Sequence, residues 1–110
     1  MLTPKRFVAG SALTDAYVAL YTTPATITSA TAKQLVVCNT DTNVQSFSLQ
    51  VRSATGSDTV ACTMFRDVSL QPKETKIFGV TDVLPVGYSI YAKASTTDVI
   101  SITVSGMEYA

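Results

Sequence analysis

The chain of 110 residues contains no histidine and no tryptophan, only two cysteines, and a charged fraction of 15%. Without histidine it lacks the side chain that most often acts as a general acid or base and most often ligates metals. A serine or threonine nucleophile would then need a lysine as its base. The candidate lysines are predicted at strand ends or on exposed faces, which does not suit a buried catalytic base. They are Lys33, Lys73, Lys76 and Lys93. We therefore expect a protein that is not an enzyme.

The charges are balanced and dispersed along the chain. Eight basic side chains match eight acidic ones, which gives a net charge of zero, so no surplus of Lys and Arg favours nucleic acid or an anionic membrane. Five scattered glycines form no phosphate-binding loop. The aspartates lie apart, mostly beside predicted turns: Asp15, Asp41, Asp58, Asp67, Asp82 and Asp98. We expect no metal, no cofactor, no nucleic acid and no membrane among the ligands.

Alternation of apolar and polar residues is the dominant pattern that the chain does contain. In residues 45–53 the apolar set is Phe47, Leu49 and Val51, and residues 98–105 repeat this alternation. A period of two residues predicts a strand with one face in the core and one polar face. Seven strands are predicted in all: residues 16–22, 31–39, 45–53, 59–68, 74–80, 86–94 and 98–105. Short turns separate them, which predicts an all-β, antiparallel β-sandwich of jelly-roll or immunoglobulin-like type with about seven to eight strands.

Residues 1–14 do not follow this alternation. They contain Leu2, Phe7, Val8 and Leu13, and they precede the first predicted strand. We expect an extended N-terminal arm over residues 1–14 and a sandwich domain over residues 15–110, in which case the arm would cover its apolar side chains on a neighbouring subunit. The alternative is that the segment folds back as an eighth strand that closes the edge of its own sheet.

The low charged fraction also predicts that part of the surface is covered by another molecule. Tyrosine suits such contacts because it combines a large apolar ring with a polar tip at a small entropic cost. The interface candidates are Leu2, Phe7, Val8, Tyr17, Tyr21, Tyr88 and Tyr91. We expect a homo-oligomer, with a trimer favoured. Stacking of single-stranded nucleic acid on the tyrosines would need a basic groove, and only Arg52 and Lys93 are placed to contribute to one.

Four stretches, taken in order, resemble small β-sandwich structural proteins of tailed bacteriophages. They are residues 20–25 (LYTTPA), 35–41 (LVVCNTD), 86–95 (VGYSIYAKAS) and 100–109 (ISITVSGMEY). The family carries a "YTVPAG" strand end, a "CNTD"-like turn, a "GDSI" strand entry and a C-terminal "SGVEY". This chain departs from that pattern at Thr26, where the family has glycine, and at Tyr88, where it has aspartate.

The resemblance implies a virion component without catalytic residues. The implied role is a capsid decoration or cement protein that stabilises the head, made in the cytoplasm of the host bacterium and located in the virion. Its implied partners are copies of itself and the major capsid protein or other virion proteins. A neck, tail or fibre subunit is the alternative. A carbohydrate-binding module is a more remote alternative. Such modules generally present a Trp or Tyr platform, and this chain contains no tryptophan.

The cysteines generate the first testable prediction. Cys38 and Cys62 fall in apolar strand contexts and are expected to act as small buried hydrophobic residues. A native disulfide would be worth about 2–4 kcal/mol, and we expect replacement of both residues by alanine to lower the free energy of unfolding by less than this. Urea denaturation of the double variant measures the difference, with wild type in reducing and in oxidising buffer as the control. Loss of soluble expression of the double variant would contradict it.

Overall fold

The structure, a computed structural model, describes residues 2–53 and 62–110. Among these residues it contains eight strands and no α-helix, so none that could cross a membrane. The strands are β1 (Leu2–Ala12), β2 (Val18–Thr22), β3 (Ser29–Asn39), β4 (Gln45–Arg52), β5 (Thr63–Leu70), β6 (Thr75–Pro85), β7 (Ser89–Ala94) and β8 (Ile100–Tyr109). They form two four-stranded antiparallel sheets, which confirms the predicted all-β sandwich.

The strand order identifies the sandwich as a jelly roll. Sheet I has the order β1-β8-β3-β6 and sheet II the order β2-β7-β4-β5. Strand pairs are therefore nested, first with last and so on inwards: β1 with β8, β2 with β7, β3 with β6, and β4 with β5. A long hairpin folded over onto itself gives this arrangement, whereas the immunoglobulin type divides its strands differently between the sheets. Of the two sandwich types that the sequence left open, the structure has the first.

The core between the sheets is built by the alternating residues. Phe47 and Leu49 of β4 are buried, and so are Ile100, Ile102 and Val104 of β8. Burial of each such side chain removes it from water at a gain of about 1.5–3 kcal/mol. The polar residues between those of β8 are half-buried. Ser48 and Gln50 of β4, which were expected on a polar face, are buried, at 2% and 0% exposure.

The extended arm predicted for residues 1–14 is wrong, because the segment forms β1 and pairs with β8 along its whole length. Phe7, Val8 and Leu13 are 7%, 5% and 1% exposed and belong to the core. Register shifts occur at Phe7 and at Gly10, where φ is +75°. Each shift is a β-bulge that turns the following residues to the opposite face. The two-residue period is therefore lost in the sequence although the strand is present.

Gly106 of β8 leaves room for a side chain of β1. At Gly106 an added Cβ would lie 2.9 Å from Cε2 of Phe7 and would collide with the backbone oxygen of Thr31. Strand β8 continues through Gly106 to Tyr109, and the bulge beside this glycine lies in β3, between Ala32 and Gln34. The missing side chain of Gly106 admits the Phe7 ring.

Other boundaries differ from the predictions for identifiable reasons. Strand β5 begins at Thr63, and the part of the predicted strand at residues 59–61 lies outside the described residues, as does most of the preceding turn. Strand β6 runs to Pro85, past the predicted end at residue 80, because it pairs with β3 over the full length of that strand. Cys38 and Cys62 are half-buried and not joined by a disulfide.

One end of the sandwich is held by a buried asparagine. Asn39 ends β3 and is completely buried. Its Nδ2 lies 2.9, 3.2 and 3.1 Å from the backbone oxygens of Asn43, Leu70 and Gln71, and its Oδ1 accepts a hydrogen bond from the backbone N–H of Asp41 at 3.0 Å. Since Asn39 belongs to sheet I and Leu70 to sheet II, this amide joins the two sheets at their loop end.

The position of β1 predicts that removing residues 1–13 destabilises the fold. The deletion takes three core side chains, each worth about 1.5–3 kcal/mol, from a domain whose total stability is about 5–15 kcal/mol. We expect a large fall in melting temperature or loss of soluble protein, measured by circular dichroism on heating. Deletion of residues 1–3 is the matched control, because Leu2 and Thr3 are exposed, and it should change the melting temperature little. An unchanged melting temperature after the long deletion, together with lost assembly, would restore the arm hypothesis.

Candidate interaction surfaces

The structure separates the interface candidates into core and surface residues. Phe7 and Val8 are core residues, which corrects their assignment to an interface. Leu2 is 47% exposed. Tyr88 is half-buried in the β6–β7 loop, where its side chain packs against the core. Its backbone oxygen accepts a hydrogen bond from the N–H of Thr23.

Tyr21, an interface candidate in the sequence analysis, points into the sandwich instead. A register shift between Ala19 and Tyr21 reverses the alternation in β2. The Tyr21 ring lies 4.5 Å from the ring of Phe7, and its hydroxyl donates a 2.7 Å hydrogen bond to Oε2 of Glu108. Burial, and then the neighbouring Glu108 carboxylate, raise the pKa of Tyr21 well above its usual value. Tyr21 therefore ties β2 of sheet II to β8 of sheet I.

Tyr17 and Tyr91 lie on the outer face of sheet II together with two cations. The Arg52 guanidinium carbon is 4.1 Å from the ring centre of Tyr91 and 5.1 Å from that of Tyr17. Nζ of Lys93 is 4.9 Å from the centre of the Tyr17 ring. Cation–π contacts at exposed sites are worth about 0.5–1 kcal/mol each. The alternation pattern placed all four residues on this face, but their mutual contacts come from the pairing of β7 with β2 and β4.

The outer face of sheet I carries an uncharged strip across all four strands. Strand register aligns Leu2, Tyr109, Ser29 and Pro85 in one row, and Pro4, Met107, Thr31 and Val83 in the next. Three of these side chains are strongly exposed, at 47% for Leu2, 46% for Tyr109 and 57% for Val83. We name these two rows the apolar strip. Sequence reasoning missed it, because its members come from four strands distant in sequence.

A basic groove borders the apolar strip. It has a volume of about 450 Å³ and is lined by Lys5, Arg6 and Lys33, with Pro4 and Met107 beside them. Lys33 is exposed where a register shift between Ala32 and Gln34 makes a bulge in β3. The sequence does not indicate that Lys33 lies near Lys5 and Arg6, because β8 lies between β3 and β1 in the sheet.

Asp82 points inward, towards a cavity between the sheets. The cavity holds about 20 Å³ and its walls include Leu35, Leu49, Leu84 and Ile90. That volume accommodates about one water molecule. Burial raises the pKa of the Asp82 carboxyl above its ordinary value. The expectation that the aspartates stand mostly beside turns is therefore wrong for Asp82, which lies within β6. It is also wrong for Asp67, which lies within β5 at a φ of +47°.

No site for a metal is formed within the described ranges, where no three His, Cys, Asp or Glu side chains are grouped to hold an ion. A polar hollow of about 210 Å³ on sheet II is lined by Asp15, Asp67 and Lys93, with Ser46 and Ser48 between them. Ser48 accepts a hydrogen bond from the backbone N–H of Asp67 at 2.9 Å, so part of this hollow is engaged within the fold.

Comparison with known proteins defines the class of the fold. No family model and no curated protein matches the sequence. Among solved structures, the chain is similar to one from infectious bursal disease virus, Gx strain, with a TM-score of 0.54 and 11% sequence identity. The match covers 96% of this chain and 32% of that chain, so this chain spans about a third of the length of the viral one. At this identity the likeness shows the fold alone, a single jelly-roll domain.

The position of Asp82 predicts how stability depends on pH. A raised pKa means that the folded state binds the proton more tightly than the unfolded chain does. The stability that protonation of Asp82 contributes is therefore complete below its ordinary pKa of 3.8 and is lost as pH rises through the folded value. We expect Asp82→Asn to increase the free energy of unfolding at neutral pH, and to increase it less in acid, as measured by urea denaturation across pH.

Asp41 is a control, because its replacement should change stability at neutral pH in the opposite direction. Asp41 accepts hydrogen bonds from Nε2 of Gln45 and the backbone N–H of Thr42, both at 2.7 Å. These bonds, the first of them most strongly, lower the pKa of Asp41. Its stabilisation is thus present above its ordinary pKa and lost as pH falls, so Asp41→Asn should decrease stability at neutral pH. Equal pH profiles for wild type and Asp82→Asn would contradict the assignment.

Proposed function

We propose that this chain is a non-enzymatic structural protein of a virion, and specifically a capsid decoration or cement protein of a tailed bacteriophage. The observation that carries the proposal is the nested pairing of eight strands into a jelly roll, a fold that recurs in viral capsid domains. The likeness in fold to a chain of a virus structure over 96% of this chain supports it. Lectin domains and cupins share the architecture, so the surface has to be considered as well.

The residues that carry the resemblance to phage proteins are also residues that hold the sandwich together. Tyr21, from the first stretch, bonds to Glu108 of the last. Between the first and third stretches, the N–H of Thr23 donates to the backbone oxygen of Tyr88, and the N–H of Gly87 donates to the backbone oxygen of Thr23. Asn39, from the second, closes the opposite end. The four stretches are thus parts of one structural frame, which supports reading them together as the mark of a fold family.

The surface favours assembly over capture of a small ligand. The apolar strip offers exposed, uncharged side chains on a flat sheet face, and such patches favour protein–protein contact. The aromatic rings of Tyr17 and Tyr91 are in contact with cations, so they do not present the bare platform on which sugars stack. This favours a structural subunit over a carbohydrate-binding module.

The decisive experiment determines where the chain resides and in how many copies. We expect quantitative mass spectrometry of purified virions to find it in numbers comparable with the shell subunits. Heads that lack it should release their DNA at a lower temperature and recover when the recombinant protein is added. A copy number sufficient only for a single ring would instead support the neck, tail or fibre alternative. Absence from purified particles would overturn the virion proposal, and specific binding on a glycan array would support the carbohydrate-binding alternative.

A further inference from the structure

The charges of this neutral chain are separated in space. Lys5, Arg6 and Lys33 line the basic groove on the outer face of sheet I. Two exposed carboxylates, Asp15 and Asp98, stand at the loop end of the sandwich. Along β3, the six residue steps from position 33 to position 39 at that end span about 20 Å. The groove and these two carboxylates therefore carry opposite charge at separate places on one molecule. The loop end also carries one cation, Lys73, whose Nζ donates to the backbone oxygen of Thr40.

The two carboxylates are held together by contacts between their loops. The backbone N–H of Asp15 donates to Oγ1 of Thr97, and the N–H of Asp98 donates to the backbone oxygen of Leu13. The β1–β2 loop and the β7–β8 loop are thereby fixed side by side. We name Asp15 and Asp98 the acidic corner.

Neither charged group is neutralised within its own subunit. The ion pair found within residues 2–53 and 62–110 joins Lys76 to Glu74, at 4.0 Å. The groove cations and the acidic corner take no part in it. Exposed charges without a partner are available to a second molecule, and complementary charges orient such an encounter.

We infer that a second copy of this chain places its acidic corner in the basic groove of the first. The inference rests on the proposed self-assembling role and names the surfaces through which it occurs. Two grooves facing each other across a twofold axis would bring cations against cations, which disfavours that contact. Contact between different surfaces is heterologous, and it produces a ring when the rotation closes. A twofold dimer can make the same contact twice, with each corner in the other subunit's groove, and a head-to-tail contact that closes gives a ring such as the trimer that the sequence favoured.

The two kinds of contact supply different parts of the association. At physiological salt the Debye length is about 8 Å, so the charges act at close range and mainly set orientation. Apolar area beside the groove, from Met107 and the adjoining apolar strip, supplies the burial that gives affinity. The association should therefore weaken as salt is raised but not vanish.

Charge variants test the contact in solution. The groove variant is Arg6→Glu/Lys33→Glu. The corner variant is Asp15→Lys/Asp98→Asn, in which asparagine is chosen because position 98 has a φ of +63° that asparagine tolerates. We expect each variant alone to raise the dissociation constant of the oligomer at least about tenfold. An equimolar mixture of the two should form mixed pairs, because the unaltered corner of the groove variant still fits the unaltered groove of the corner variant. Sedimentation equilibrium over a concentration series measures all three.

Arg66→Glu is the matched control, because Arg66 is an exposed cation on β5 of the other sheet. It should leave the dissociation constant unchanged. Thermal melts establish that each variant is folded, and the single substitutions Lys33→Glu and Asp15→Lys replace any double variant that is not. A wild-type protein that stays monomeric, variants that associate like wild type, or a mixture that forms no mixed pairs would each overturn the inference. None of these results would change whether the chain is found in virions, which tests the proposed function separately.

Discussion

The side-chain amide of Asn39 is the contact on which the loop end of this sandwich depends. A buried amide must satisfy both its donor and its acceptor groups, and buried backbone oxygens need partners of their own. Asn39 meets both needs at once, since it reaches three backbone oxygens and the N–H of Asp41. Because those oxygens belong to the β3–β4 loop, to β5 and to the β5–β6 turn, one side chain sets the relative position of the two sheets.

The opposite end is held by contacts of a different kind. Tyr21 crosses from sheet II to Glu108 of sheet I, and its ring packs on Phe7. The Phe7 ring in turn occupies space that Gly106 leaves open. Because contacts at both ends join the two sheets, their outer faces are held in a fixed relative orientation. One carries the apolar strip and the basic groove, and the other carries the cation–aromatic cluster of Tyr17, Tyr91, Arg52 and Lys93.

The edges of sheet I carry features that disfavour pairing with another chain. Strand β1 carries Pro4 and two bulges, and strand β6 turns Asp82 towards the cavity between the sheets. Proline, bulges and inward charges are the features that prevent a sheet edge from pairing with another chain. The raised pKa of Asp82 shows that this protection has an energetic cost. These features disfavour edge pairing and leave the faces and loop ends for the proposed contact between acidic corner and basic groove.

Local alternation was sufficient to predict β4 and β8, because the direction of a strand side chain depends only on its position along an unbroken strand. The same rule predicts the outward placement of Tyr17, Tyr91, Arg52 and Lys93. Where a bulge breaks the strand, as at Phe7 and Gly10 of β1 or between Ala19 and Tyr21 of β2, that rule fails. The groove at Lys33 and the inward carboxylate of Asp82 arise from cross-strand register and sheet packing. Those depend on partners far away in the chain, so only the tertiary structure decided them.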